Sequence, residues 1–288
     1  MSVVSVLTLV RGRYEHLVNL MHGLARQTRL PDELVIAYMQ PEPHPDLPIM
    51  PFPVHHLHVQ GEPMPLARAR NQAAAFARHA KLIFLDVDCI PSPTLVESYC
   101  RALNEKEGLY LGEVLYLPAK SVNETLDYTR LDQLGQVHPA RPRIPDAGTR
   151  AEPDPGSLWG LSFALHKDSY RKAGGMDETY QGYGGEETDF AWRLARTGLP
   201  VFWVANARAY HQHHRLFAPP YQHFEHILRN AEYFHHQWGR WCMEYWLGQF
   251  RDAGLVDWHE DADSIQILRY PTRQDIANAE LPPSALYS

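Results

Sequence analysis

The feature that most constrains this chain is an alternation between two hydrophobic periods over its first third. Val3 to Val10 is a strand-like run, and Tyr14 to Gln27 then carries Leu17, Leu20, Met21 and Leu24 at helical spacing, with Pro31 to end the helix. Glu33 to Met39 and Val54 to Val59 read as further strands. The six prolines between Pro41 and Pro53 must form a loop. Leu66 to Ala80 is alanine-rich and helical, and Leu82 to Leu85 is a short buried strand that stops at Asp86. Strand, helix and strand in this order predict an α/β fold with a mostly parallel sheet flanked by helices. In such sheets the ligand crevice lies beyond the carboxyl ends of the strands, which is where Asp86 falls.

The rest of the chain is read in the same way. A helix is expected from Pro93 to Lys106, with Ser92 as its N-cap, and then a strand from Leu109 to Leu117. His138 to Gly156, rich in proline and charge, reads as an irregular loop. Gly160 to Leu165 and Val201 to Val204 read as strands, and Lys167 to Ala173 and Glu186 to Thr197 as helices closed by glycines. Tyr221 to Ala253 is a long amphipathic helical region broken near Gly239. Its aromatic stripe of Trp238, Trp241, Tyr245 and Trp246 is expected to pack as core, with an acceptor wall or contact with a partner or membrane surface as the alternatives.

Composition narrows the function classes. A net charge of −7 with mixed signs, and only short basic runs such as Arg11 to Arg13 and Arg141 to Arg143, does not suit a nucleic-acid binder. No apolar stretch reaches the roughly 18 residues of a membrane span, and the N-terminal apolar run lacks the features of a signal peptide. Three scattered cysteines, Cys89, Cys100 and Cys242, do not make a disulfide framework, so a reduced, cytoplasmic setting is expected.

Four motifs carry chemistry. In Asp86-Val87-Asp88 an extended backbone would put both carboxylates on one face, where they repel unless a cation or hydrogen bonds hold them. Hard divalent ions suit that oxygen-rich pair, while helix capping is the structural alternative. Gly174, Gly175, Gly182, Gly184 and Gly185 make a deformable segment around Tyr183, followed by the acids Glu186, Glu187 and Asp189 in the first turn of a helix. At least one of these acids is a candidate general base, and capping is the alternative for Glu186 or Asp189. In Tyr210-His211-Gln212-His213-His214 a histidine cluster follows a strand, and His211 and His213 would share a face if extended. Arg68, Arg70 and Asn71 open a helix, where they could grip a diphosphate or a base, or merely form a solvated face.

The order and spacing of Ala69-Arg70-Asn71, Phe84-Leu85-Asp86-Val87-Asp88, Trp159-Gly160, Gly182 to Glu187 and His211 resemble family 2 glycosyltransferases with a galactosyltransferase-type C-terminal half. The resemblance runs from Val3 to about Arg215 and implies a GT-A fold. It implies a domain over residues 1–215, with a nucleotide-sugar half at 1–118 and an acceptor half at 119–215, followed by a helical extension over 216–288. It also implies inverting, metal-dependent transfer of a hexose or N-acetylhexosamine, of galactose type, from a UDP-sugar to a glycan or glycolipid.

In that resemblance Asp88 and His211 hold Mn²⁺ or Mg²⁺, with Asp86 and His213 as further candidates; Asp86 could instead contact the ribose or the metal's water shell. Glu187 is the preferred base, and Glu186 binds sugar hydroxyls. The donor set comprises Thr8, Gln40, Arg70, Asn71, Asp86 and Asp88, and the acceptor or sugar set Trp159, Tyr183, Gly184, Gly185 and Asp189. Tyr183 stands where relatives often carry a tryptophan. The second strand lacks the aspartate that reads uracil in many relatives, which leaves Gln40 or backbone groups for that work. The resemblance allows peripheral membrane contact. Two rival readings remain: a haloacid-dehalogenase-like phosphatase with Asp86 as nucleophile, and a non-catalytic sugar-nucleotide-binding module.

Overall fold

The computed structural model describes residues 3–123 and 125–287, so Met1 and Ser2 of the N-terminal apolar run lie outside the described residues. The first third follows the alternation: β1 (Val4–Val10), α1 (Tyr14–Ala25), β2 (Glu33–Tyr38), β3 (Val54–His58), α2 (Leu66–Phe76) and β4 (Lys81–Leu85). β1 pairs in parallel with β2 and β4, and β2 with β3. β1, β2 and β4 are buried along their whole length, because helices cover both faces of the sheet. Val6 and Val10 pack with Leu17, Leu20 and Leu24 of α1. Leu7 and Leu9 point the other way, onto Ala67, Ala69 and Ala73 of α2. Both helices end earlier than expected, α1 well before Pro31 and α2 four residues short of Ala80.

The second half departs from a parallel sheet. It contains β5 (Cys89–Pro91), α3 (Leu95–Glu105), β6 (Leu109–Leu111), β7 (Val114–Tyr116), α4 (Tyr128–Leu134), β8 (Gln136–Val137), β9 (Thr149–Glu152), β10 (Ser162–His166), α5 (Lys167–Lys172), α6 (Glu186–Arg196), β11 (Val201–Val204) and β12 (Ala209–His211). The main sheet runs β3-β2-β1-β4-β10-β6-β11-β9. β10 is antiparallel to both β4 and β6, and β9 is antiparallel to β11. The sheet is therefore parallel on its β1–β4 side and mixed beyond β4. A second sheet, β5-β12-β7-β8, lies past the carboxyl end of β4.

Three sequence expectations change here. The strand expected from Leu109 to Leu117 splits at Gly112-Glu113, and its halves join different sheets. A Cβ at Gly112 would collide with the Ala207 carbonyl, so the close crossing of two backbones there requires glycine. The loop expected over 138–156 contains β9, held to β11 by strand pairing and by Trp203 Nε1 donating to Glu152 at 2.6 Å. That pairing partner lies about fifty residues downstream, so no local period announces it. Ser92 does not cap α3: Thr94 stands at the N-cap, and the Ser92 hydroxyl is buried without a partner among the described residues.

Beyond β12 the chain forms α7 (Phe224–Trp238) and α8 (Glu244–Asp252), separated at Gly239, which adopts the left-handed conformation. Phe224, Ile227, Phe234, Trp241, Leu247, Phe250 and Trp258 build a separate apolar cluster, as expected of the aromatic stripe, although Tyr245 is 69% exposed. Among the described residues no helix is long and apolar enough to cross a membrane, and the three cysteines are buried and free.

Candidate active site

The Asp86-Val87-Asp88 segment is a turn rather than an extended strand. Cys89 N–H donates to the Asp86 carbonyl at 2.9 Å, and Gln212 N–H donates to the Asp88 carbonyl at 2.7 Å. The turn replaces the shared face expected of alternate residues. It aims the two carboxylates at neighbouring clusters that remain electrostatically linked.

Asp88 is 3% exposed. Its Oδ1 lies 3.5 Å from His211 Nε2 and its Oδ2 lies 3.7 Å from His214 Nε2. Ligand atoms of these three residues all fall within 4.8 Å of one another. β12 delivers His211, whose ring packs on Tyr116 at 4.8 Å, and the chain then turns so that His214 comes back beside it. Arg13 at the start of α1, itself in the left-handed region with φ 52°, reaches across and pairs with Asp88 Oδ2. Burial pushes the Asp88 carboxyl up, but His211 and Arg13 overcome it and hold Asp88 at about 2. Burial also keeps both imidazoles neutral, lowering His211 and taking His214 down to about 4. His211 and Arg13 thus both favour the ionised form of Asp88. An ionised carboxylate beside two neutral imidazoles is the protonation state a divalent metal requires, and these three residues could hold such an ion.

The second cluster gathers round Arg70, which is 4% exposed. Its Nη1 donates to Glu186 Oε1 at 3.1 Å and its Nη2 to Glu187 Oε1 at 2.5 Å. Both acids start α6, where the helix dipole favours them. Burial raises the Glu187 carboxyl to about 8, against the pull of Arg70 and with further upward push from Glu186 and Asp86. Burial and Asp88 together raise Asp86 to about 6, against Arg70 and Arg13. Three carboxylates around the Arg70 guanidinium cannot all ionise at little cost, so the cluster holds a proton near neutrality. The Glu187 carboxylate rests directly on Gly160, where φ is +64° and any Cβ would overlap it. This contact is the physical reason for a glycine after Trp159.

The glycine segment is clamped by the C-terminal helices. Asn230 of α7, 1% exposed, directs its side-chain amide at the carbonyls of Gln181, Tyr183 and Gly184, at 3.1, 3.3 and 2.8 Å. Side chains at Gly182 and Gly184 would strike His226 and Met243. Tyr183 stacks on His223 with centroids 4.4 Å apart and meets Trp246 at 5.6 Å. Burial, Glu187, Glu186 and both aspartates suppress its ionisation.

Comparisons with known proteins agree with this layout. A protein-family model described as the N-terminal domain of galactosyltransferase matches residues 154–215, the stretch carrying Trp159, the glycine segment, α6 and His211. Chondroitin synthase of Escherichia coli is 27% identical over 175 residues, covering 51% of this chain and 25% of that relative. The solved structure of GalNAc-T7 with UDP, GalNAc and Mn²⁺ superposes with a TM-score of 0.56 at 17% identity, over 74% of this chain and 44% of that one. The structure of residues 1–349 of S. aureus TarS gives 0.54 at 12% identity, over 80% of this chain and 64% of that one. The chain shares the GT-A fold of the two solved glycosyltransferases. It spans a quarter of the curated relative's length, and the two solved structures speak for its fold alone.

Within this glycosyltransferase fold, the expected site residues fall into three groups. Asp88 and His211 meet as expected, and Glu186 and Glu187 lie in the neighbouring cluster beside Asp86. His213 does not join the metal cluster. The extended geometry that paired it with His211 ends at β12, so His214 takes that place, and the His213 carbonyl lies 3.2 Å from His16 Nε2. Arg70 faces two glutamates, not an open diphosphate site. Asn71 is spent on the Gly175-Met176 turn, donating to the Met176 carbonyl and accepting from Met176 N–H, both at 2.8 Å. Asp189 pairs with Arg193 at 2.7 Å and accepts from Trp238 Nε1 at 3.0 Å. Thr8 is fully buried within β1, and its hydroxyl has no partner among the described residues. Gln40 is engaged with Gly12 N–H at 2.6 Å, which ties it to the Arg13 loop. Gly184 and Gly185 adopt φ of 91° and 93° to turn the chain into α6. The phosphatase reading of Asp86 falls with the fold.

Sequence reasoning missed Arg13, His214, Asn230 and His223. His214 stood inside the quoted histidine cluster, and Arg13 inside a charge run that was read only for nucleic acid. Asn230 and His223 carry no local signal.

Proposed function

We propose that this chain is an inverting, metal-dependent glycosyltransferase that moves a hexose or N-acetylhexosamine, galactose type favoured, from a UDP-sugar to a glycan or glycolipid hydroxyl. One observation carries the reading: a metal-ready triad of Asp88, His211 and His214 lies next to a separate, partly exposed carboxylate, Glu187, with Asp86 coupling the two. GalNAc-T7, whose structure holds UDP, GalNAc and Mn²⁺, supports the choice of ion and donor class. Residues 1–118 serve the nucleotide, 119–215 the transfer site, and 216–288 brace the loop.

Asp88, His211 and His214 hold the ion. When bound, Mn²⁺ supplies positive charge against a departing diphosphate. Arg13, paired with Asp88, adds a second positive charge at the place where the diphosphate would sit. Glu187 takes the proton of the acceptor hydroxyl. Its 23% side-chain exposure, against 5% for Glu186, makes it the carboxylate an acceptor can reach. Arg70 fixes the carboxylate's position, and Glu186 completes the clamp. Tyr183, braced by His223 and Trp246, covers the site and limits the entry of water.

The test is a screen of UDP-sugars for Mn²⁺-dependent thermal stabilisation, followed by release of UDP from any stabilising donor. Stabilisation with slow UDP release supports the enzyme. Stabilisation without release, at any acceptor tried, leaves only a binding module, and no response to any donor defeats the proposal.

A further inference from the structure

The stretch that carries His214 has no regular structure of its own. β12 ends at His211, and the chain then runs without helix or strand as far as a single bridge at Phe217. Such a stretch keeps its shape only through bonds to its surroundings. Gln212 is fixed through its N–H by the Asp88 carbonyl and through its side chain by Asn19. Residues 215–218 are held by residues 279–281, a separation of 65 residues for Arg215 and Glu280.

That second segment follows α9 (Arg273–Asn278), whose start is set by a capping box between Thr272 and Asp275. Ala218 N–H donates to the Ala279 carbonyl and Leu281 N–H to the Leu216 carbonyl, both at 2.9 Å. Between these two bonds Glu280 grips the Arg215 guanidinium with both oxygens, Nε donating to Oε1 at 2.7 Å and Nη2 to Oε2. An isolated exposed ion pair is worth little. A bidentate one bracketed by two backbone bonds fixes position as well as charge.

The Arg215 carbonyl is what reaches the site. It lies 2.9 Å from His214 Nδ1. A carbonyl only accepts, so Nδ1 carries the proton and donates. Nε2 is then the ring nitrogen with a free lone pair, and it is the one 3.7 Å from Asp88 Oδ2. A histidine whose other nitrogen donates to a carbonyl is held in one tautomer and one orientation, as a metal ligand must be. The same segment also backs the second histidine. The Tyr287 ring meets Tyr116 edge to face at 5.9 Å, and Tyr116 packs on His211 at 4.8 Å.

We infer that residues 279–287 form a strap that positions both histidines for the cation: Glu280 holds Arg215, whose carbonyl sets the His214 tautomer, and Tyr287 holds Tyr116 against His211. The inference rests on the proposed metal site, and it makes Arg215, Glu280 and Tyr287 positioning residues rather than ligands.

The experiment measures Mn²⁺ binding by calorimetry, without nucleotide, for the unaltered full chain, for Arg215→Gln and for the exchange of Arg215→Glu with Glu280→Arg. Arg215→Gln removes a positive charge next to His214, and its effect on the field alone would tighten binding of a cation. The strap requires the opposite. Affinity should fall about three- to tenfold, less than the roughly 10–100-fold lost when a group bonded directly to a ligand is removed. The exchange keeps the net charge and restores the pair, so it should recover most of the lost affinity. In the metal-free chain, NMR of ¹⁵N-labelled histidine should place the His214 proton on Nδ1, and Arg215→Gln should give a mixture of tautomers. An Arg215→Gln chain that binds Mn²⁺ as tightly as the unaltered one, or more tightly, overturns the inference. A lower melting temperature with Mn²⁺ affinity intact does the same, because the strap would then be structural only. His214 protonated on Nε2 also overturns it. Should Arg215→Gln fail to fold, Tyr287→Ala tests the same strap without altering charge, and unchanged Mn²⁺ affinity there is equally fatal. If the unaltered chain binds Mn²⁺ and the variants match it, the strap fails and the proposed function stands. If the variants weaken Mn²⁺ binding but no donor sugar is ever transferred, the function fails and the strap stands. No Mn²⁺ binding by the unaltered chain sinks both.

Discussion

Replacing Gly160 by alanine should do its damage through one contact. At φ +64° an alanine pays about 1–2 kcal/mol for the left-handed conformation. Its Cβ would also overlap the Glu187 carboxylate, which must swing away. Swinging breaks the 2.5 Å bond from Arg70, a charge-assisted hydrogen bond worth about 1.5–3 kcal/mol. The two effects sum to about 2.5–5 kcal/mol. At about 2–4 °C per kcal/mol for a domain of this size, that is a fall of roughly 5–20 °C in melting temperature. The displaced carboxylate also loses its alignment with the acceptor, and a misplacement of about 1 Å costs on the order of 100-fold in rate. Differential scanning fluorimetry gives the first number, and UDP release in the presence of acceptor gives the second. UDP binding, assigned by the proposal to Asp88 and the histidines, should change little. If Gly160→Ala melts with the unaltered chain and turns over at the same rate, Glu187 is neither seated on Gly160 nor the base.

Other perturbations separate the remaining roles. Glu187→Gln should leave UDP affinity within about twofold and lower transfer by about 10²–10⁴, the usual worth of a general base, and full activity would transfer that role to another group. Because a base must be ionised and burial raises Glu187 towards 8, kcat/KM should climb with pH across the neutral range; a profile flat from pH 6 to 8 contradicts the assignment. His214→Ala should weaken Mn²⁺ binding by calorimetry at least tenfold, whereas His213→Ala should not, a contrast that tests which histidine completes the triad. Asn230→Ala strands the carbonyls of Gln181, Tyr183 and Gly184, so it should destabilise the chain by about 1–3 kcal/mol and speed amide exchange in the Gln181–Gly185 segment.

How much was legible beforehand depends on how far apart the partners lie. The β1–β4 half follows from local period alone, since apolar spacing records which face each residue must bury. Pairing across the second half does not. β9 draws its stability from β11, and the Leu109 to Leu117 run divides because the backbone at Ala207 passes too close for anything but Gly112. The same limit holds at the site. Asp88, His211 and Glu187 are recognisable by chemistry and order along the chain. The partners of Arg70, Asn71 and Asp189 lie far along the chain, and sequence does not reveal them.

The amino-acid order by itself determined the alternating scaffold, the pair of aspartates at the tip of β4, the glycine segment before α6 and the presence of histidines after β12. Those are consequences of local periodicity and of residue chemistry. Only the folded chain decided that Arg13 pairs with Asp88 across 75 residues, that Arg70 clamps Glu187 across 117, and that His214 rather than His213 comes together with Asp88 and His211. Charges find partners by proximity in space, and proximity over such separations is set by strand order and helix packing, not by any signal the neighbouring residues carry.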